Sequence, residues 1–88
     1  MTDWELVGFI KGSSIRKEII LELGRENKTP SEIAKSLGKR TNHISRAMKE
    51  LVEKQLVECK TPELKKGRIY SLTTLGYQIR DVIIGKKV

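Results

Sequence analysis

The stretch TPSEIAKSLGKRTNHISRAMKELVEK, residues 29–54, carries the strongest structural signals in this chain of 88 residues. Thr29 is a good N-cap, Pro30 suits a first helical turn, and Glu32 completes a Thr-x-x-Glu capping box. Gly38 is then well suited to end this helix after about two turns. The stretch therefore predicts a short helix, a tight turn and a second helix.

The second of these helices is predicted over residues 41–54, with Thr41 as its N-cap. Its apolar residues recur at the spacing of one helical face, and they are Ile44, Ala47, Met48, Leu51 and Val52. Two helices joined by a tight turn that contains a glycine are a candidate helix-turn-helix.

The part of the chain before this pair is predicted to contain one further helix. The apolar residues between Ile15 and Leu23 have helical spacing, Ser14 is a suitable N-cap, and Gly24 is expected to end the helix in the left-handed conformation. Residues 3–10 are also rich in apolar side chains. Their period does not distinguish a short helix from an extended piece.

After residue 54 the apolar period changes from helical to alternating. Residues 56–60 and 68–72 are predicted strands, and the intervening residues have the Pro, Gly and polar side chains of a loop, so the segment predicts a β-hairpin. Thr73 or Thr74 then caps a last helix, over about 74–85. The predicted fold class is α+β, with a three-helix core, a wing of two or three strands and a C-terminal helix.

The net charge of +7 is concentrated in two short windows of the sequence. Residues 39–54 carry a net charge of +3 and residues 60–68 another +3, whereas residues 1–38 are neutral overall. An ordinary solvated surface would intersperse the two signs more evenly. The asymmetry therefore favours a polyanionic partner such as nucleic acid.

The same pieces of sequence resemble the winged helix-turn-helix transcriptional regulators, in their order and spacing. The resemblance covers about residues 14–80, and its most characteristic pieces are residues 29–38, 44–51, 56–58 and 67–76. It is strongest to short archaeal proteins of MarR-like or ArsR-like type. It implies a winged-helix domain that binds duplex DNA, usually as a homodimer, and that regulates transcription.

A recognition helix of this kind enters the major groove with its N-terminal residues near the base edges. Arg46 could then bind guanine through two hydrogen bonds and Asn42 could pair with adenine. The basic wing, residues 60–68, would lie along the backbone or touch the minor groove. The predicted DNA-binding residues are Lys39, Arg40, Thr41, Asn42, His43, Ser45, Arg46, Lys49, Lys65, Lys66 and Arg68. The alternative is a solvated helix face and a lysine-protected sheet edge.

Other classes of function find little support in the residues. The chain has no Gly-rich phosphate loop and no nucleophile with a matching base, so we expect no enzyme. One cysteine, Cys59, and one histidine, His43, cannot supply a zinc site, so we expect no metal or other cofactor. There is no apolar run of ~18 residues and no basic signal segment, so we expect a cytoplasmic protein without a membrane partner.

The whole chain, residues 1–88, is expected to form a single domain without room for a separate sensing unit. Trp4 and Phe9 in the N-terminal segment 1–12, and the apolar surface of the helix over 74–85, are candidate dimer contacts. The alternative for the aromatic pair is docking onto the core. Two rival functions also stay open, a winged-helix module for protein assembly and a non-specific architectural DNA binder.

Overall fold

The computed structural model describes residues 3–85, and it contains five helices and a two-stranded antiparallel hairpin. The α+β winged-helix architecture expected from the sequence is confirmed. In chain order the elements are α1 (Trp4–Lys11), α2 (Ser14–Arg25), α3 (Pro30–Leu37), α4 (Thr41–Glu53), β1 (Val57–Cys59), β2 (Tyr70–Leu72) and α5 (Thr74–Ile83).

One apolar cluster holds these elements together, and every helix and both strands contribute to it. Its largest fully buried side chains are Ile10, Ile19, Ile20, Leu23, Ile33, Ile44, Met48, Leu51, Leu56, Val57 and Ile79. Most of these side chains are aliphatic, so burial of aliphatic surface is the main stabilising term, at roughly 25 cal/mol for each Å² removed from water.

The segment whose period was ambiguous forms α1. Asp3 caps this helix by accepting hydrogen bonds from the backbone N–H groups of Glu5 and Leu6. Val7 and Ile10 enter the core and Phe9 packs against its edge, whereas Trp4 is 70% exposed. Of the two aromatic residues in this segment, Phe9 therefore docks onto the domain and Trp4 does not.

Two predictions about α2 are wrong. Its N-cap is Ser13, whose side chain accepts from the N–H of Arg16, and Ser14 is already helical. Gly24 lies inside the helix instead of ending it in the left-handed conformation. The physical reason for this glycine is a close approach, because a Cβ at this position would lie 2.5 Å from Cδ of Arg80.

The prediction for α3 is confirmed in detail. Thr29 and Glu32 form a reciprocal capping box, Pro30 is in the first turn, and Gly38 ends the helix with φ of 67°. The N-cap of α4 is different from the expected one. It is Arg40, which makes no side-chain capping bond, and Thr41 is the first helical residue.

The two strands of the wing are shorter than predicted. Cys59 pairs with Tyr70 and Val57 with Leu72 in the antiparallel register. Tyr70 also exchanges two backbone hydrogen bonds with Lys28, so one residue before α3 adds an isolated bridge on the other side of β2. The base of the wing is therefore paired on both sides, at the point where it leaves the core.

Helix α5 packs against both α1 and α2. Thr73 is its N-cap, as one of the two predicted alternatives. Gly76 in its first turn lies so close to the residue before β1 that a Cβ would collide with the carbonyl oxygen of Leu56. Among residues 3–85, no helix has the length and apolar character needed to cross a membrane.

Candidate nucleic-acid interface

The outer face of α4 is polar and exposed along the half that is nearest its N-terminus. Four residues of its predicted apolar stripe, Ile44, Ala47, Met48 and Leu51, are buried where the helix packs on α2 and α3, whereas the fifth, Val52, is 39% exposed. The opposite side of the helix lies in solvent. The exposed residues there are those predicted from the sequence, Thr41, Asn42, His43, Ser45, Arg46 and Lys49. The Oδ1 atom of Asn42 accepts a hydrogen bond from the N–H of His43 at 3.0 Å, and the side-chain NH₂ group is a further donor on this exposed residue.

The turn before α4 places two cations next to an uncapped helix end. Lys39 and Arg40 are both exposed and immediately precede the helix. Because no side chain caps this end, first-turn N–H groups and the positive end of the helix dipole remain available to an anion. The left-handed Gly38 makes this tight turn possible, since a glycine has no steric penalty at positive φ.

The wing supplies the second group of cations. Lys65, Lys66 and Arg68 are exposed around Gly67, which has φ of 66°. Two contacts hold the loop in shape. The hydroxyl of Thr61 accepts from the N–H of Ile69 at 2.9 Å, and Nε of Arg68 donates to the carbonyl of Leu64.

A groove of about 490 Å³ brings the helix and the wing together. One wall is formed by Thr41 and Ser45 of α4, and the other by the wing from Lys65 to Arg68. Its remaining wall is the start of α3, residues 29–31, which were not among the site residues predicted from the sequence. The capping box marked this helix start, but its position beside the wing depends on tertiary packing.

The positive charge of this surface is not neutralised by salt bridges to carboxylates of residues 3–85. Within residues 3–85, no carboxylate forms a salt bridge with the predicted basic residues Lys39, Arg40, Arg46, Lys49, Lys65, Lys66 and Arg68. The wing residue Lys60 differs, because it pairs with Glu58 at 2.9 Å. The predicted basic residues of α4, of the turn before it and of the wing tip therefore provide exposed positive charge without a salt-bridge partner among residues 3–85.

A polar cluster fixes α3 against α2. The carboxylate of Glu22 accepts hydrogen bonds from the hydroxyl of Ser36 at 2.7 Å and from the ammonium of Lys28 at 2.9 Å. These two donors hold the pKa of Glu22 below its ordinary value, and the same contact raises the pKa of Lys28. The cluster also anchors Lys28, the residue that pairs with the base of the wing.

A second cluster fixes α4 against the N-terminal helix. The guanidinium of Arg16 lies 3.9 Å from the centre of the Phe9 ring, and it donates to the backbone carbonyl of Phe9 and to the carboxylate of Glu50. The ammonium of Lys54 lies 5.4 Å from the same ring. Phe9 is thus held between cations from α2 and from the C-terminal end of α4.

No cluster of three or more potential metal ligands occurs among the described residues. His43 lies on the outer face of α4, and Cys59 is a partly buried free thiol on β1. The side chains of this surface supply hydrogen bonding and charge, from amide, hydroxyl, imidazole, ammonium and guanidinium groups.

Solved structures of two bacterial proteins have a similar fold. Two structures of a double mutant of ZitR from Lactococcus lactis superpose with a TM-score of 0.75, at 20% identity over 84% of this chain and, for the apo form, at 19% identity over 92%. The adhesin competence repressor AdcR from Streptococcus pyogenes gives a TM-score of 0.74, at 20% identity over 83% of this chain. The chain spans about half to two thirds of those proteins, with 51%, 63% and 55% of their lengths covered.

Sequence comparison shows the family. No curated protein matches the chain at a significant level. The sequence profile of the N-terminal domain of the methanogenesis regulatory protein FilR1, in contrast, matches residues 4–85. That match includes all five helices and the hairpin, which is nearly the whole chain. The chain therefore belongs to the family of the FilR1 N-terminal domain.

Proposed function

We propose that this chain is a sequence-specific DNA-binding domain of a transcriptional regulator, with α4 in the major groove and the wing on the backbone or in the minor groove. The observation that carries the proposal is the groove between α4, the start of α3 and the wing. Exposed cations without internal ion-pair partners in residues 3–85 line or flank it on both sides. Membership of a regulatory-protein family and the repressor fold of AdcR support this function.

The roles of individual residues follow from where they lie. Arg46 and Asn42 on the exposed face of α4 are proposed to read base edges, because a guanidinium matches guanine and an amide matches adenine. Lys39 and Arg40 in the turn are proposed to contact phosphates, as are Lys66 and its neighbours in the wing. Thr41, His43, Ser45 and Lys49 complete the proposed contact surface.

Several broader statements belong to the same proposal. The protein is proposed to act in the cytoplasm as a homodimer, in the manner of short archaeal MarR-like or ArsR-like regulators. A dimer would read two half-sites about 34–36 Å apart, one turn of the duplex. The N-terminal segment and α5 are the proposed dimer elements, although residues 1 and 2 of that segment lie outside the described part of the chain.

The polar character of α4 favours DNA over a protein partner at this surface. A helix that docks on another protein would present apolar residues at the centre of the contact. The exposed positions from Thr41 to Lys49 are instead polar or basic throughout. We therefore place DNA binding first, with protein assembly and non-specific DNA binding as the outcomes that an experiment must separate.

Selection from a randomised duplex pool at two salt concentrations tests the proposal. An enriched, roughly palindromic motif is the expected result. If five to seven basic side chains neutralise phosphates, log affinity against log salt should have a slope of about −5 to −6. Salt-sensitive binding without a motif would show an architectural role, and absence of binding at low salt would point to a protein partner.

A further inference from the structure

The tip of the wing carries an apolar side chain among its cations. Leu64 is 41% exposed, and Lys65, Lys66 and Arg68 follow it closely in the chain. It lies outside the apolar cluster that holds the described part of the chain together. A single exposed leucine is common on a protein surface. This one is distinguished by its place at the tip of a basic loop.

The backbone of Leu64 is held through both of its polar groups. Its N–H donates to the carbonyl of Thr61 at 3.0 Å, which closes a four-residue turn with Pro62 in the second position. Its carbonyl accepts from Nε of Arg68. Across the loop, the hydroxyl of Thr61 accepts from the N–H of Ile69 at 2.9 Å. The leucine is therefore presented at a fixed place, so a partner that contacts it need not order the backbone of the tip.

The groove between α4 and the wing determines which part of a duplex the tip would meet. Its wing wall runs from Lys65 to Arg68, and its opposite wall includes Thr41 and Ser45 of α4. A sugar–phosphate strand seated in this groove would have α4 on its major-groove side, where the proposed function places that helix. The same strand separates the major groove from the minor groove. The tip of the wing would then lie at the minor groove, beside the site that α4 contacts.

The two kinds of side chain at the tip suit different parts of a minor groove. Ammonium and guanidinium groups interact with the phosphates and with the negative potential between them. An alkyl side chain can instead press on sugars and base edges, and apolar side chains that enter the minor groove partly unstack a base step. Pyrimidine–purine steps such as TA and CA are flexible and open most easily. A leucine at this place would therefore select for deformability and not for hydrogen-bonding groups.

We propose that Leu64 is a specificity-determining residue that enters the minor groove beside the site of α4, at a deformable base step. The inference rests on the proposed function and deepens it, because it adds a source of sequence preference outside the base contacts of α4. Arg46 and Asn42 are proposed to read hydrogen-bonding groups, whereas Leu64 would respond to the shape of the flanking duplex. The three cations that follow Leu64 have no salt-bridge partner among residues 3–85, so a polyanion is the partner that this tip fits.

A selection on the flanks of the DNA site tests the proposal. The duplex library keeps the motif enriched by the wild type constant and randomises the base pairs on either side. The wild type is expected to enrich TA or CA steps at one fixed distance from the motif, and Leu64→Ala is expected to lose that enrichment while it keeps the motif. Leu64→Met, which conserves apolar volume, should keep both. Leu64→Asn, which is polar at a similar size, should behave like the alanine variant.

Affinity measurements separate this apolar contact from the charges of the wing. On a duplex with a TA step in the enriched flank, Leu64→Ala is expected to raise the dissociation constant about 5-fold, because part of an alkyl contact is lost. On the same motif with a stiff A-tract flank, the two proteins should bind within about 2-fold of each other. The salt slope should be the same for both, because no charge is removed. A 2-aminopurine base at the step should become more fluorescent with the wild type than with Leu64→Ala, since unstacking relieves its quenching.

Val52→Ala is the matched control, because Val52 is an aliphatic residue with a similar exposure of 39% and is not among the proposed contact residues. It should leave the flank preference and the affinity unchanged. Thermal unfolding should place Leu64→Ala within about 2 °C of the wild type, because substitutions outside the core change stability little.

Three results would contradict the proposal, and they can be told apart. Leu64→Ala with the flank preference and affinity of the wild type would overturn this inference alone. A large fall in the melting temperature of that variant would make Leu64 a structural residue of the loop and would also overturn it. A wild type that enriches no motif would refute the proposed function and this inference with it.

Discussion

Arg16 and Glu50 form an ion pair, with 2.9 Å between Nη2 and Oε2, that joins α2 to α4. The same guanidinium stacks on the ring of Phe9 and donates to its carbonyl oxygen. The side chain of Arg16 in α2 thus contacts both α1 and α4. The position of α4 relative to α1 depends on this contact as well as on the apolar core.

Arg16→Ala is expected to lower the free energy of unfolding by about 1–2 kcal/mol, because it removes the ion pair, a backbone hydrogen bond and a cation–π contact together. Glu50→Ala removes the ion pair alone, and the partly exposed position of both side chains limits that loss to less than about 1 kcal/mol. A double-mutant cycle in urea measures the difference. Equal losses in the two single variants would mean that the contacts to Phe9 contribute nothing.

Gly76→Ala is expected to destabilise the domain by about 3 kcal/mol or more. The new methyl group would collide with the carbonyl oxygen of Leu56, and backbone atoms on both sides of the contact cannot move aside cheaply. Gly8→Ala is the matched control, since its methyl group meets open space and should stabilise the helix. Thermal unfolding of the two variants gives the answer, and a loss of less than ~1 kcal/mol for Gly76→Ala would contradict the close approach of α5 to the backbone of Leu56.

Glu22→Gln is expected to lower stability at pH 7 and to matter less in acid. The pKa of Glu22 is lowered in the folded state by hydrogen bonds from Ser36 and Lys28, so its stabilising effect is present above the unfolded-state pKa and is lost as the pH falls through the lowered value. Urea unfolding at pH 7 and near pH 3 should therefore show a gap to the wild type that narrows in acid. Glu63→Gln, at an exposed wing carboxylate, is the control, and a gap independent of pH would refute the interpretation.

Arg46→Ala and Lys66→Ala are expected to affect DNA binding in different ways. Loss of Arg46 should cost about 1–3 kcal/mol at the selected site and relax the preference at one base pair. Loss of Lys66 should weaken all duplexes to a similar extent and make the salt slope less steep by about 1. Competition titrations with selected and scrambled duplexes distinguish the two. A uniform loss in both variants would remove the base-reading role of Arg46.

Local signals predicted the central helices well, because their starts and stops depend on nearby residues. The Thr29–Glu32 capping box and the left-handed Gly38 satisfy hydrogen bonds within a few residues, and both are present as expected. The same reasoning failed at Gly24, where the need for a glycine comes from Arg80, far along the chain. A local rule cannot anticipate a contact of that kind.

The predictions for the candidate site divide in the same way, into features that depend on nearby residues and features that depend on contacts far along the chain. Every exposed position predicted on α4 is exposed in the structure, because subtraction of the apolar stripe leaves the outer face. The groove wall formed by Pro30 and Ser31 was missed, because nothing in the sequence states that the wing folds back beside the start of α3. That juxtaposition depends on the pairing of Tyr70 with Lys28, which links residues far apart in the chain.

Tyr70 pairs with Cys59 on one side and with Lys28 on the other, and this anchors the base of the wing. The tip of the wing lies outside these pairings. Hydrogen bonds close the loop at Thr61 and Ile69, below the cations, so the fold does not require a fixed number of residues between them. Loop closure depends only weakly on length. The tip can therefore be lengthened, shortened or given another charge without disturbing the core, so the reach of the wing and the position of α4 are set by different parts of the chain.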